Sequence, residues 1–417
     1  MNRKIGMELE LNLYYRDGEQ AGTVANLADL VLTDPRNTDN QGGVLFVPES
    51  SHYQIEINSN PASDITQLDD DLRLKLMALE RICEDHGLFP AATSTNGSGE
   101  ILSRIPPEQF AGRDPFSLSN KEVRIAAYYG LLGEKKSRLT GEISGIHIHL
   151  DQIEGSRVKQ YNLLLALDPV SFALTSTSPI DGDGNNSINN QRVNSIRNVA
   201  FSNFPQLAEL PKYIESVAEL ESRIKKGYNT WRDNSGVPTE LFEKAFNLGN
   251  AGWQPIRKKD DIGEYGTWEV RSPDSAPLNL ALAVVALYKG VHDYALSSGI
   301  PISISENEGE YSFHTDGFIL PTHQTLKSIE EEAIHQGLKS EKVRDYVRRL
   351  LPVAELGLKE QELKYLEPIQ EMIQRKGNPS DQIMSFMHQH YDASRYDPKQ
   401  AAEANLFARE LYVQGMN

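Results

Sequence analysis

Four short segments of the sequence carry polar side chains that could do chemistry, spaced two residues apart. They are Glu8 and Glu10; Glu56 with Gln54 and Asn58; His147 and His149; and Glu269 and Arg271. In a β-strand, residues two apart lie on the same face of the sheet. The residues between them are largely apolar here. If the segments pair in one sheet, their polar side chains line a single surface that is dense in carboxylates.

A cluster of carboxylates repels itself unless cations bind among its members. Oxygen ligands with an occasional imidazole suit Mg²⁺ or Mn²⁺, and such ions serve where phosphate groups must be held and their charge neutralised. Arg271, two residues after Glu269, could stabilise charge on a transferring phosphoryl group. The residue types alone therefore favour a site for metal ions and phosphate.

Each pattern also has an ordinary structural explanation when it is taken alone. A Glu-x-Glu pair on a strand is usually a solvated sheet face, and Glu-x-Arg is more often a cross-strand ion pair than a site. Four such segments in one chain, each with an apolar opposite face, favour the functional interpretation. On that interpretation we expect Glu10→Gln and Glu269→Gln to abolish activity and to leave thermal stability unchanged or raised, because each removes a like charge.

Hydrophobic periodicity predicts the elements that must position these residues. Alternation predicts strands over residues 5–15, 52–58, 143–150 and 267–272. Leucines at helical spacing predict a helix from Leu68 to His86 with Gly87 as its C-cap, and a strongly apolar helix follows Pro277.

The remainder of the chain divides into a polar segment and a helical end. Residues 178–198 are rich in Gly and Asn, which predicts a surface loop. We expect a catalytic domain over residues 1–322 and a helical C-terminal region over residues 323–417 packed on it. Pro352 and Gly357 are expected to mark breaks between its helices.

Composition and charge exclude several classes of protein. The chain has 417 residues, and 42 Lys and Arg against 59 Asp and Glu give a formal net charge of −17. This argues against nucleic acid and anionic membranes as main partners. The only cysteine, Cys83, rules out an internal disulfide and any cysteine-cluster metal site. No run approaches about 18 apolar residues, and carboxylates interrupt the start of the chain, so we expect a cytoplasmic protein without a membrane-spanning helix.

Three of the segments resemble motifs of glutamine synthetase. Gly6-Met-Glu-Leu-Glu10 is similar to its G-x-E-x-E strand, Gly145-Ile-His-Ile-His149 to its G-M-H-x-H strand, and the run from Glu269 to Asn279 to its E-x-R-x-P-D segment. The motif order and the chain length are more similar to the glutamate–cysteine ligase type 2 branch, the carboxylate–amine ligases. That branch adds E-x(6)-E, an arginine before the histidine strand, an S-S-P loop leading to an arginine, and G-T-x-E-x-R-x-x-D. The matching positions are Glu49 and Glu56, Arg138, Ser178-Pro179 leading to Arg192, and Gly266 to Asp274.

The resemblance covers residues 5 to about 300 and implies a fold and a site. The fold would be a glutamine synthetase-like α+β fold, in which a curved, mainly antiparallel sheet cradles the active site and helices lie behind it. Glu10, Glu49 and Glu56 would hold one Mg²⁺ or Mn²⁺ ion, and Glu8, His147 and Glu269 another. His149 would face the ATP phosphates, Arg271 the transferring phosphoryl group, and Arg192 a phosphate or the substrate carboxylate. Arg197 and Arg257 are further candidates for binding the nucleotide.

The implied reaction joins a carboxylate to an amine at the expense of ATP. ATP phosphorylates the carboxylate, in the first instance the γ-carboxylate of glutamate, and an amine such as cysteine attacks the acyl phosphate to leave an amide. Family members often form homo-oligomers, so a homo-oligomer is a further expectation.

Two departures from the family pattern keep other functions open. The family's G-T-H-P segment is replaced by Ala-Thr-Ser-Thr-Asn-Gly at residues 92–97, and the S-S-P loop continues into an acidic, Asn-rich stretch. A ligase of the same fold for another carboxylate and amine, such as a small-peptide or natural-product ligase, is therefore an alternative. A non-catalytic protein that binds a metabolite or nucleotide is another. A cupin-type metal oxygenase is a remote one, because Gly141 to Glu154 fits the first half of the cupin metal motif although Tyr161 replaces its glycine.

Overall fold

The computed structural model describes residues 3–16, 26–39, 43–49, 51–95, 113–141, 143–180, 188–391 and 396–416. Within these residues, seven strands form one sheet: β1 (Ile5–Tyr15), β2 (Phe46–Pro48), β3 (Gln54–Asn58), β4 (Leu88–Ala91), β5 (Ile146–Asp151), β6 (Ile256–Lys259) and β7 (Thr267–Val270). Their order is β2-β3-β1-β5-β7-β6, and β4 also pairs with β1. All the pairs are antiparallel, in agreement with the mainly antiparallel sheet that the family resemblance implies.

The helices are α1 (Leu27–Leu32), α2 (Ile65–Asp85), α3 (Asn120–Leu132), α4 (Glu134–Gly141), α5 (Arg157–Thr175), α6 (Gln191–Asn194), α7 (Val217–Asn234), α8 (Thr239–Ala245), α9 (Leu278–Ser297), α10 (His323–Gln336), α11 (Glu341–Gly357), α12 (Glu367–Arg375), α13 (Pro379–His390) and α14 (Pro398–Met416). A small second sheet lies between α9 and α10. It consists of β8 (Ile302–Ile304), β9 (Ser312–His314) and β10 (Gly317–Leu320). None of the described helices combines the length and the apolar character that crossing a bilayer requires.

One face of the large sheet is apolar and carries the main core. Alternate residues of β1 are buried there, from Ile5 to Leu13. Helices α2, α5 and α9 pack on this face, against β1, β7 and β5 respectively. Burying one such side chain contributes about 1.5–3 kcal/mol. A one-residue slip of β1 would turn its whole apolar set to the other face, so this packing fixes the strand register.

The register sets the polar residues of the four predicted strands beside one another. The paired residues are Glu10 with Glu56, Glu8 with His147, Gly6 with His149, His149 with Glu269, and Arg257 with Glu269. The second face of the sheet therefore carries one continuous group of ionisable side chains. A smaller apolar cluster from α3, α7 and α8, which includes Trp231 and Trp253, lies outside the main core.

The segment predicted as a surface loop is different in the structure. Residues 181–187 lie outside the described residues, but residues 188–198 are largely buried, and the prediction is wrong for them. Asn190 caps α6 by accepting a hydrogen bond from the Val193 amide and donates one to Ser176 Oγ at 3.1 Å. A π-helical turn, Ser195–Ala200, then continues the chain. The prediction is wrong because low hydrophobicity was taken to indicate exposure, whereas the Asn and Arg side chains here form hydrogen bonds with buried groups.

The C-terminal part is helical, as predicted, and packs on the preceding helices. Helix α10 contacts α5, α11 contacts α9, and α14 contacts both α9 and β4. The division at residue 322 stays a prediction. Pro352 lies inside α11 rather than at a break. Pro352 and Arg348 are both exposed, so water can bond the carbonyl that the proline leaves without a partner.

Candidate active site

His147 lies between two groups of carboxylates on the polar face of the sheet. One group is Glu8, His147 and Glu269, and the other is Glu10, Glu56 and His147; in each, the possible ligand atoms lie within 4.8 Å of one another. The His147 Nδ1 atom lies 2.6 Å from Glu8 Oε2 and 3.6 Å from Glu269 Oε1, and its Nε2 atom lies 3.7 Å from Glu10 Oε1. The imidazole is therefore shared between the two groups.

Glu10 and Glu56 form one half of the site, in which the pKa values of both carboxyls are raised. Burial, with the charges of Glu49, Glu8 and Glu10, raises the pKa of Glu56. Burial also raises the pKa of Glu10. The charge of His147 acts to lower this pKa, and the charge of Glu49 acts to raise it further. A divalent cation is the group that would relieve this repulsion, and oxygen donors with one imidazole suit Mg²⁺ or Mn²⁺. The donor set thus fits such an ion.

Glu8 and Glu269 form the other half, which is held ionised. Burial acts to raise the pKa of Glu8, but hydrogen bonds and the charges of His147 and His149 outweigh it and lower that pKa. Burial acts in the same direction on Glu269, but Arg257, Arg271 and His147 lower its pKa to about 2. Arg257 holds both carboxylate oxygens of Glu269, each at 2.5 Å.

The structure brings five of the six predicted metal ligands together on one face of the sheet, but it groups them somewhat differently. Glu8, His147 and Glu269 come together as the resemblance implies. Glu10 and Glu56 also come together, with His147 as their third neighbour. Glu49 follows β2, and its charge acts on both Glu10 and Glu56. Their roles as ligands stay predictions.

His149 is held on both sides of its ring. Its Nδ1 atom lies 3.0 Å from Thr267 Oγ1, and its Nε2 atom lies 3.0 Å from Glu8 Oε1. The ring is therefore fixed beside the first group, and its predicted contact with nucleotide phosphates stays a prediction. Glu154, the carboxylate of the cupin-like pattern, is exposed and belongs to neither group of possible metal ligands. The cupin alternative therefore has no support in the geometry.

Three of the predicted arginines converge on one indole ring, that of Trp253. The guanidinium carbons of Arg192, Arg197 and Arg271 lie 5.6, 5.5 and 5.6 Å from its ring centroid. An aromatic face attracts such cations, and more strongly where water is excluded. Trp253 was missed by the sequence analysis, because a lone tryptophan outside any motif carries no local signal of this role.

The guanidinium groups of Arg192 and Arg197 form hydrogen bonds or ion pairs with other residues of the chain. Arg197 pairs with Asp168 at 2.8 Å and with Glu330, and also donates to Ser272 Oγ at 2.8 Å. Arg192 donates to the backbone carbonyls of Ser272 and Arg271, at 2.9 and 3.2 Å. These contacts favour positioning roles, in which both arginines hold the chain just after β7. The sequence analysis missed Asp168 and Glu330, which lie on helices remote from any motif.

Arg271 differs from its two neighbours. Arg192 and Arg197 each leave only their buried Nε atom without a hydrogen-bond partner among the described residues, whereas Arg271 leaves both Nε and Nη1. The Nε atom of Arg271 lies 3.2 Å from Glu269 Oε1 as an ion pair, and its Nη1 atom has no such contact. Burial and the nearby charge of Arg257 lower its pKa to about 10, so it remains a cation at neutral pH. A buried donor without a partner is costly, which favours an anionic ligand at this position.

Gly145 permits the close approach of Arg192 to the sheet. A Cβ atom at residue 145 would lie 2.1 Å from Arg192 Nη2 and 3.0 Å from the Pro273 carbonyl oxygen. The Gly145 amide also donates to Glu10 Oε2 at 2.6 Å. The glycine of the Gly-x-His-x-His motif thus has a packing reason, which the sequence pattern alone does not give.

We expect Gly145→Ala to destabilise the protein by about 1–3 kcal/mol, because overpacking would displace the buried Arg192 guanidinium. Urea unfolding of the purified variant measures this. Gly6→Ala is the matched control, since its Cβ would meet only ordinary contacts, with His149 Cβ at 3.6 Å and Ser59 Oγ at 3.7 Å. Equal unfolding midpoints for the two variants would contradict the packing explanation.

The sequence is similar to a known protein family over nearly its whole length. The model of the family described as Glutamate-cysteine ligase family 2 (GCS2) matches residues 4–403. A curated relative from Gloeobacter violaceus (strain ATCC 29082 / PCC 7421), named provisionally as glutamate–cysteine ligase 2, is 26% identical over 251 residues. That match spans 59% of this chain and 56% of the relative, little more than half the relative's length.

Two solved structures are similar in fold. The glutamate–cysteine ligase from Francisella tularensis, solved in complex with AMP, has a TM-score of 0.63 at 14% identity, with 99% of this chain and 89% of that chain covered. A bifunctional glutathione synthetase from Pasteurella multocida has a TM-score of 0.60 at 13% identity, with 99% of this chain and 52% of that chain covered. At these identities the likeness shows the fold alone, and it confirms the predicted glutamine synthetase-like fold.

Proposed function

Because the chain belongs to glutamate-cysteine ligase family 2, we propose that it is an ATP-dependent carboxylate–amine ligase. It forms an amide through an acyl phosphate, with glutamate as the first candidate carboxylate and an amine such as cysteine as the partner. One observation carries this proposal: a largely buried group of carboxylates and His147 lies beside Arg271, whose Nη1 atom is a buried donor without a described partner. Such a site suits metal ions and the phosphates of ATP.

The two groups around His147 are the proposed positions of Mg²⁺ or Mn²⁺. Glu8, His147 and Glu269 would hold one ion, and Glu10 and Glu56, with Glu49 near them, the other. When bound, such ions neutralise charge on phosphate oxygens and orient the reacting groups. The raised pKa values of Glu10 and Glu56 support this proposal, because a bound cation would offset the repulsion that raises them, and these carboxyls would then release their protons.

In the first step, a carboxylate oxygen of the substrate attacks the γ-phosphorus of ATP. The bond from that phosphorus to the bridging oxygen breaks, and ADP leaves. Arg271 Nη1 donates to the oxygens of the transferring group as their charge changes. Arg192 and Arg197 hold the chain at residues 271 and 272, so the Arg271 guanidinium is oriented before the reaction begins.

In the second step, the amine nitrogen attacks the acyl carbon of the acyl phosphate. The bond from that carbon to the phosphate oxygen breaks, inorganic phosphate leaves, and the amine loses a proton to solvent or to a nearby carboxylate. The acyl phosphate must be kept from water, which the burial of the surrounding side chains favours.

The test is ADP release from the purified protein with ATP, Mg²⁺ and a panel of amino acids, each alone and in pairs with cysteine, ammonia and other amines. Release that requires one carboxylate and one amine, with an amide product seen by mass spectrometry, is the expected result. Binding of ATP that raises the melting temperature without release from any pair would favour the non-catalytic alternative.

A ligase of the same fold for another carboxylate and amine is the second candidate. It is supported by the sequence of residues 92–97, which departs from the family's G-T-H-P segment; of these, residues 96 and 97 lie outside the described residues. Thr93 Oγ1 accepts from Asn12 Nδ2 at 2.9 Å, and Ser94 Oγ accepts from Thr177 Oγ1 at 3.1 Å, so residues 93 and 94 adjoin the polar face of β1 and the chain that follows α5. Release that is absent with glutamate but present with another acid would favour this candidate.

A further inference from the structure

Arg257 forms an ion pair with Glu269, whose carboxylate is one of the ligands of the proposed metal site. It lies directly across from Glu269 in the β6–β7 register, and its Nε and Nη2 atoms take both oxygens of Glu269 at 2.5 Å. Glu269 is fully buried and belongs to the group with Glu8 and His147. A divalent ion that binds a Glu269 oxygen therefore competes with Arg257 for that oxygen.

Charge around Glu269 also favours this replacement of Arg257 by the metal ion. Arg271 also lies 3.2 Å from Glu269, so two guanidinium groups already surround one carboxylate. Adding a doubly charged ion while Arg257 remains in place would set three cationic groups around that buried carboxylate, where their mutual repulsion is stronger than in bulk water.

Arg257 has more room to move than Arg192 and Arg197. Its strand, β6, is at the edge of the sheet, and 16% of its side chain is exposed. By contrast, Arg197 is held by two carboxylates and Arg192 by two backbone carbonyls, and both are buried. The long, flexible side chain of Arg257 can leave Glu269 without disturbing the core.

We propose that Arg257 is an exchangeable internal counter-ion, which neutralises Glu269 in the metal-free protein and gives up its place when a divalent metal ion binds. This inference rests on the metal site of the proposed function. It assigns Arg257 a positioning role that the sequence analysis did not give it. The ion pair keeps a buried carboxylate stable in the absence of metal, and the same pair weakens metal binding by the free energy needed to break it.

The test is isothermal titration calorimetry of the metal-free protein with Mn²⁺ alone. The melting temperature of the metal-free protein is measured alongside it. Arg257→Met should lower the metal-free melting temperature and tighten Mn²⁺ binding roughly 10- to 100-fold, because no ion pair has to be broken. A lysine at this position cannot hold both oxygens of Glu269 at once. Arg257→Lys should therefore have a melting temperature and an Mn²⁺ affinity between those of the unaltered protein and of Arg257→Met, and it replaces Arg257→Met in the test if that variant does not fold. Lys258→Gln is the matched control, since Lys258 pairs with Glu221 and Asp260 instead, and it should bind Mn²⁺ as the unaltered protein does.

Two results would overturn the inference, and they differ in what else they affect. If the unaltered protein binds Mn²⁺ and the Arg257 variants bind it equally well or more weakly, Arg257 is a fixed structural partner and the proposed ligase function stands. If the unaltered protein binds no Mn²⁺, the metal site of the proposed function fails as well.

Discussion

Replacing Arg271 with lysine is expected to lower turnover about 1,000-fold, which is the scale of a single arginine in phosphoryl transfer. Its buried Nη1 atom is a donor without a partner among the described residues, and Trp253 and Glu269 hold the guanidinium on two sides. A lysine ammonium presents one charge centre and cannot keep the contact with Glu269 while also donating to a phosphate. Steady-state ADP release measures the effect.

Mn²⁺ titration of the same variant separates this role from a general loss of structure. Metal affinity should stay within a few-fold, because Glu8, His147 and Glu269 remain in place. Arg348→Lys, an exposed arginine on α11 paired with Glu341, is the control for the substitution itself and should leave turnover unchanged. Near-normal turnover in Arg271→Lys would remove Arg271 from the proposed mechanism.

Glu269→Gln is expected to abolish turnover and also to destabilise the metal-free protein by about 3–5 kcal/mol, the cost of leaving a buried partner unpaired. Arg257 and Arg271 both depend on this carboxylate for their charge balance. The structure therefore reverses, for Glu269, the expectation from the sequence that stability stays unchanged or rises. Urea unfolding in the presence of a chelator measures the change.

Glu56→Gln is the matched comparison, and its stability should change in the opposite direction. The pKa of Glu56 is raised by burial and by neighbouring carboxylates, so the folded metal-free protein is destabilised when Glu56 carries a charge. Glutamine keeps the shape and removes that charge, so the variant should unfold at higher urea while its turnover falls. If both variants lose stability equally, the division of the site into an ionised and a proton-holding half is wrong.

The sequence alone determined which residues share a surface. Residues two apart on a strand must lie on one face, so Glu8 with Glu10, and His147 with His149, were placed together without knowledge of the fold. The order of the motifs also identified the family, which the match over residues 4–403 confirms. Both conclusions could be reached from the sequence, because they depend only on the spacing and order of residues along the chain.

Only the tertiary structure decided which of these residues meet and with what effect. The pairing of Arg257 with Glu269 depends on the register of β6, a strand that the sequence analysis did not predict. Trp253 joins three arginines from separate segments, and Arg197 finds Asp168 and Glu330 at separations of 29 and 133 residues. The pKa of Glu269 falls while that of Glu56 rises, although each is a glutamate on the same sheet face. Burial and charge are summed over neighbours that are distant in sequence, so spacing fixes the face that a side chain occupies, and the folded chain fixes its charge and partners.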